Sequence, residues 1–276
     1  MWFDTLLMPL GVTDVFANLF FAFFLLGGAC LYLALIWQIR ARPPTSPLET
    51  TRTFGVPEAT LAAALTFFLL FGVLASISHP ALEVGNRVVV ENLLFVVGLV
   101  LVIGAFLRLR GFDLSALAGF SKISFVRALS MGTVLLLAAY PMIAFADAIT
   151  QRLLGSGTVR QNIVELFSGL GRIEQRIMII VFAVAIAPVA EEFLFRFFLY
   201  GVLRRYFGRF LGLITNALLF AAVHTHLPSF APLFVLGSCF TLAYEWSGSI
   251  LVSMTMHALF NSVSLTMLAF PDLFAQ

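Results

Sequence analysis

The sequence predicts an all-α fold, a polytopic membrane helix bundle of about eight transmembrane helices. Three observations carry this. The 276 residues are 61% hydrophobic and only 11% charged, against about a quarter charged for soluble domains. The mean hydropathy is +1.03. Several apolar runs also reach the roughly 20 residues needed to cross a hydrocarbon core about 30 Å thick.

The spans follow in order at 15–38, 57–78, 88–107, 127–148, 177–203, 209–226, 231–246 and 249–270. The first reads as a retained span, because the residues before it lack the basic stretch of a cleaved signal peptide. Pro228 and Pro232 separate the sixth span from the seventh, since proline ends helices. The turn at Trp246, Ser247 and Gly248 separates the seventh from the eighth. Residues 42–56, rich in Pro and Thr, read as a solvated linker. In 149–176, Ile163, Val164, Phe167 and Leu170 share one helical face, the pattern of a short interfacial helix. GFDLSALAGF at 111–120 reads as another.

Charge orients the bundle. Alternate loops hold ten basic residues on one side: Arg40, Arg42, Arg52, Arg108, Arg110, Lys122, Arg127, Arg204, Arg205 and Arg209. The other side holds five: Arg87, Arg152, Arg160, Arg172 and Arg176. The positive-inside rule puts the first set in the cytoplasm and both termini outside. A net charge of +2, with no basic run among aromatics, excludes a nucleic-acid partner and leaves the lipid bilayer as the first one. The two cysteines, Cys30 and Cys239, lie in apolar runs and offer neither a disulfide framework nor a thiolate zinc motif.

An ionisable group within a bilayer is costly and marks a functional site by default. Of fourteen carboxylates, only Glu191 and Glu192 fall deep within a span; Glu58, Glu91, Asp147 and Glu245 sit at span ends, within reach of water. Arg196 is the one basic residue deep in a span, and His224 and His257 are the two histidines inside the sixth and eighth. His226 reads as interfacial. At 100° per residue, Glu192 and Arg196 lie about 40° apart and pair, whereas Glu191 is turned about 140° from Arg196. Glu191 is therefore left to face a cavity, where a partly dry carboxylate suits general-base work. Pro188, three residues earlier, loosens the helix just before it.

His257 and Asn261 share a face of the eighth span, and Phe220 lies one turn below His224. At 1.5 Å of rise per residue, Glu191, His224 and Asn261 all lie about 20 Å from the nearest cytoplasmic loop edge, and His257 about 14 Å. Glu191 can then deprotonate a water for attack on a peptide carbonyl. His224 can orient that water or protonate the leaving amine. His257 and Asn261 can donate to the oxyanion. A zinc ion held by Glu191, His224 and His257 is the alternative way to activate the water.

These residues stand in three motifs. EEFLFR at 191–196 fits EExxxR, FAAVH at 220–224 fits FxxxH, and HALFN at 257–261 fits HxxxN. In this order on successive spans, they resemble the CAAX protease and bacteriocin-processing (CPBP) family, which includes the type II CAAX prenyl endopeptidases. The likeness covers about residues 110–270. It divides the chain into N-terminal helices, 1–110, and a catalytic transmembrane domain, 111–276. It implies an intramembrane peptidase in which Glu191, His224, His257 and Asn261 surround the catalytic water and Glu192, Arg196 and Phe220 support them. Its substrate would be a membrane-associated or lipidated polypeptide, of the prenylated CAAX kind among others. It also implies a bacterial plasma membrane.

Two other classes compete. A transporter or proton relay also uses intramembrane Glu and His, but would favour inverted repeats, whereas these polar residues are confined to the C-terminal half. A non-catalytic membrane protein for bacteriocin immunity or scaffolding would tolerate loss of all four site residues.

Overall fold

The computed structural model describes residues 12–42, 54–78, 86–154 and 173–270. The interfacial helix expected near 163–170, His79 and most of the 42–56 linker lie outside them. Helices α1 (Val12–Ala41), α2 (Val56–Ser78) and α3 (Asn86–Leu109) lead to a one-turn helix α4 (Leu114–Ala118) and then α5 (Phe125–Leu154). A long path follows: α6 (Ile173–Val181), a π turn at Phe182–Ile186, α7 (Ala187–Glu192), a second π segment at Phe193–Leu199, and α8 (Tyr200–Val223). A 3-10 turn at Leu227–Ser229, α9 (Phe230–Ser247) and α10 (Ile250–Ala269) complete it. Among the described residues there is no strand.

Among the described residues, seven helices are long and apolar enough to cross a membrane, and Arg176–Val223 counts among them as a single 48-residue path. That path is broken at Gly208, whose φ of 79° and ψ of 174° belong to no helix. Glycine supplies that backbone without the Cβ clash another residue would meet. The chain folds back there: a Cβ on Gly212 would lie 2.9 Å from the Arg204 nitrogen. Residues eight apart in a straight helix would be about 12 Å apart. The path is therefore two limbs, which with the six other long helices of the described residues agrees with the expected bundle of about eight.

α5 packs against α1, α9 and α10, and α8 packs against α9 and α2. The Tyr32 hydroxyl of α1 donates to the Leu135 carbonyl of α5 at 2.9 Å. α2 and α3 are peripheral, and their exposed Phe67, Phe71, Leu94 and Leu101 form part of an apolar belt suited to lipid. The expected short helix within 111–120 is α4. Asp113 caps it by accepting from the Ser115 and Ala116 amides, at 2.9 and 3.2 Å. Hydrogen bonds from Ser115 and these amides hold the Asp113 carboxyl below its ordinary value.

Two carboxylates expected to reach water are instead buried. Glu58 has no exposed surface. It accepts from the Gly55 amide at 2.6 Å and pairs with Arg110 Nε at 2.9 Å. Glu245, only 3% exposed, is held by Arg204 at 2.9 Å, Arg209 at 3.4 Å and the Tyr200 hydroxyl at 3.1 Å. The basic partners that bury them come from other elements.

Candidate active site

α7 carries the two glutamates between the two π segments. In the first, the Ala187 amide donates to the Phe182 carbonyl, five residues back instead of four. In the second, the Tyr200 amide donates likewise to Phe195. Such bulges shift the helical phase by about one residue and are frequent at functional sites. Here they bracket the stretch that presents Glu191 and Glu192.

The expected pairing of Glu192 with Arg196 is present. Arg196 Nη1 lies 3.0 Å from Glu192 Oε1, and both side chains are fully buried. A buried charge pair needs further hydrogen bonds to be tolerated. Arg196 Nη2 donates to the Gly237 carbonyl of α9 at 3.3 Å. The guanidinium also sits 4.2 Å above the Phe220 ring and 5.1 Å from that of Phe240. Both are cation–π distances. Gly237 makes this approach possible, because a Cβ there would stand 2.9 Å from Phe220 Cδ1.

Glu192 has a second partner that the sequence did not reveal. His257 Nδ1 lies 3.0 Å from Glu192 Oε1. An ionised carboxylate can only accept, so the proton of this bond is on Nδ1 and His257 Nε2 is turned toward the other glutamate. Glu191 Oε2 lies 3.8 Å from that Nε2, too far for a hydrogen bond. Glu191 keeps 26% of its side chain exposed, yet its Oε2 is buried with no hydrogen-bond partner. One glutamate is thus clamped and the other is open. Phe240 stacks on the His257 ring at 4.9 Å and fixes its plane. Gly237 and Phe240 left no mark in the sequence, because an apolar helix position facing the site reads like any other.

His224 caps the C-terminal end of α8. Its Nδ1 lies 2.7 Å from the Phe220 carbonyl, so Nδ1 carries the proton and Nε2 is free. Phe220, fully buried, lies under His224 at 4.8 Å and against His257 at 5.9 Å between ring centroids. It is the aromatic floor that ties the two histidines together. The next residue, Thr225, has a φ of 50°. That value is strained for a β-branched residue and turns the chain sharply away just past His224. His226 bonds Ser229 Oγ at 2.8 Å in the turn beyond.

Asn261 reaches the same region from α10, where its Nδ2 donates to the Ala183 carbonyl in the first π turn at 2.7 Å. Of the four residues, Glu191 and His257 stand within 3.8 Å of one another; His224 is linked to His257 through the Phe220 ring, and Asn261 is bonded to the Ala183 carbonyl. The zinc alternative fits less well. Among the described residues, no three His, Cys, Asp or Glu side chains stand close enough to hold a metal ion. Glu191, His224 and His257 therefore do not form a ligand set, and no step below passes through a metal.

Residues 173–263 match the family model described as type II CAAX prenyl endopeptidase Rce1-like. That segment holds every site residue named above. The uncharacterized protein YpbD of Bacillus subtilis is 36% identical over 88 residues, covering 30% of this chain and 42% of YpbD. The chain thus matches well under half of that relative's length. No solved structure matches the chain.

Proposed function

Taking residues 173–263 as a segment of the type II CAAX prenyl endopeptidase kind, we propose that the protein is an intramembrane endopeptidase. It hydrolyses peptide bonds of membrane-associated or lipidated polypeptides, prenylated CAAX-type proteins among them, with a water activated by Glu191. The protein works as a multi-pass component of a bacterial plasma membrane. The catalytic unit is 111–276, and the helices of 1–110 brace it. The observation that carries this reading is the asymmetry of the glutamates: Glu192 is held by Arg196 and His257, while Glu191 Oε2 has no hydrogen-bond partner and stands 3.8 Å from His257 Nε2.

Glu191 takes a proton from water as the oxygen attacks the scissile carbonyl carbon. The charge that develops on the carbonyl oxygen meets His257, whose Nε2–H in the protonated form is an aimed donor in a water-poor site. With His257 protonated, Glu191, Glu192, Arg196 and His257 sum to zero charge, which lowers the cost of keeping them within a bilayer. Collapse of the tetrahedral intermediate breaks the C–N bond. The proton held by Glu191 then passes to the leaving amine, directly or through the free Nε2 of His224.

Glu191→Gln keeps size and hydrogen bonding but removes the base. Peptide termini would be compared in membranes from cells with equal amounts of wild type and Glu191→Gln. New termini made only by the wild type are expected, with activity in the variant reduced by at least about a hundredfold. Identical termini from two inserted, folded proteins would move the function to a binding, immunity or transport role.

A further inference from the structure

Pro188 lies at the start of α7, just after the π turn Phe182–Ile186. In regular α geometry the Ala183 carbonyl would accept from the amide of residue 187, but the Ala187 amide donates to Phe182. In π geometry it would accept from residue 188, which is proline and has no N–H. The bulge and the proline together leave the Ala183 carbonyl without a donor from its own helix. A backbone carbonyl left unpaired in apolar surroundings is costly, and membrane helices broken by proline regain their bonds from neighbouring side chains. The Asn261 amide does this, donating to that carbonyl at 2.7 Å. Asn261 lies one turn after His257, which accompanies Glu191 and Glu192.

We infer that Asn261 is a positioning residue: from α10 it satisfies the carbonyl that Pro188 frees. Meeting that acceptor keeps the π turn, and with it α7 and Glu191, in place relative to His257. The inference rests on the peptidase reading above and gives the amide a different task from direct donation to the oxyanion. Proline at 188 and Asn at 261 then form one unit. The first creates an unmet acceptor eight residues before Glu191, and the second meets it from the helix that carries the partner histidine.

The test is a double-mutant cycle on the full chain in detergent or vesicles, with a cleavable peptide and the thermal midpoint as readouts. Asn261→Ala is expected to lower kcat about tenfold or more while KM stays within about twofold, because an orphaned carbonyl displaces Glu191. Pro188→Ala alone is expected to retain most activity, since an alanine at this position brings back an N–H for the Ala183 carbonyl. The double variant is expected to recover most of the lost kcat and of the lost midpoint. A double variant no better than Asn261→Ala, with all four proteins folded, would overturn the inference and return Asn261 to the oxyanion.

If Asn261→Ala fails to accumulate and the double variant accumulates, that is rescue. If both fail, the same cycle run with Asn261→Ser decides. If the wild type cleaves nothing, the peptidase reading falls, and the midpoints alone decide whether Asn261 meets the carbonyl that Pro188 frees: coupled values support this and additive values end it.

Discussion

One oxygen of Glu192 faces two cationic or potentially cationic groups, ion-paired with Arg196 at 3.0 Å and hydrogen-bonded to His257 at 3.0 Å. Its charge is therefore as important as its shape. Glu192→Gln preserves an acceptor for His257 but leaves the Arg196 guanidinium buried without a counter-charge, a change worth about 3 kcal/mol or more. The expected result in detergent is a clearly lowered thermal midpoint, accompanied by loss of cleavage. A midpoint equal to wild type would mean that Arg196 is neutralised elsewhere. The sequence shows half of this arrangement. Positions 192 and 196 share a helix face, so their pairing follows from helix geometry alone. The bond to His257 does not, because it joins residues 65 apart on helices whose relative rotation depends on packing. The buried states of Glu58 and Glu245 were hidden for the same reason: Arg110, Arg204 and Arg209 reach them only after the bundle closes.

At the scale of elements, hydropathy located the spans because a bilayer selects for length and apolarity, and it located them to within a few residues. It could not show the π segments Phe182–Ile186 and Phe193–Leu199, since one wider turn alters the phase of a helix without altering its composition. Nor could it show how closely α9 approaches the second π segment. That approach depends on Gly237, where an added Cβ would meet Phe220 Cδ1 at 2.9 Å and Arg196 Nη2 at 3.4 Å. Gly237→Ala is expected to push α9 away or tilt the Phe220 ring, weakening the Arg196 bond to the residue 237 carbonyl. An overpacking cost of about 1–3 kcal/mol follows. Cleavage should fall with the thermal midpoint, since Phe220 supports both histidines. Small residues at helix contacts are common in membranes, so an alanine that leaves both measurements unchanged would show that α9 has room to shift.

For the molecule as a whole, the loop charges and the contacts lead to one arrangement. Arg42 at the end of α1 donates to the Glu245 carbonyl at 3.0 Å and also to that of Trp246. Arg204 and Arg209, on either side of the Gly208 fold, converge on the Glu245 carboxylate, and Arg209 also donates to the Ile39 carbonyl at 3.1 Å. A Cβ on Gly119 would touch the Gly248 carbonyl, so the loop bearing α4 lies against the same turn. The basic loops that charge counting assigns to the cytoplasm are therefore gathered on one face by direct contacts. From Gly208, the second limb of α8 rises about 24 Å to His224. The histidine end of the site thus lies toward the opposite face, next to the 3-10 turn Leu227–Ser229. Leu227 and Tyr206 are 68% and 48% exposed, which makes them probes of the two faces. Leu227→Cys is expected to react with a membrane-impermeant maleimide in intact cells, and Tyr206→Cys only after permeabilisation. The wild type, whose Cys30 is exposed on α1 while Cys239 is buried, sets the background labelling to be subtracted. The opposite pattern would invert the bundle and bring His224 to the cytoplasmic side. A substrate would then reach Glu191 from the compartment in which polypeptides are made, instead of from the outer leaflet.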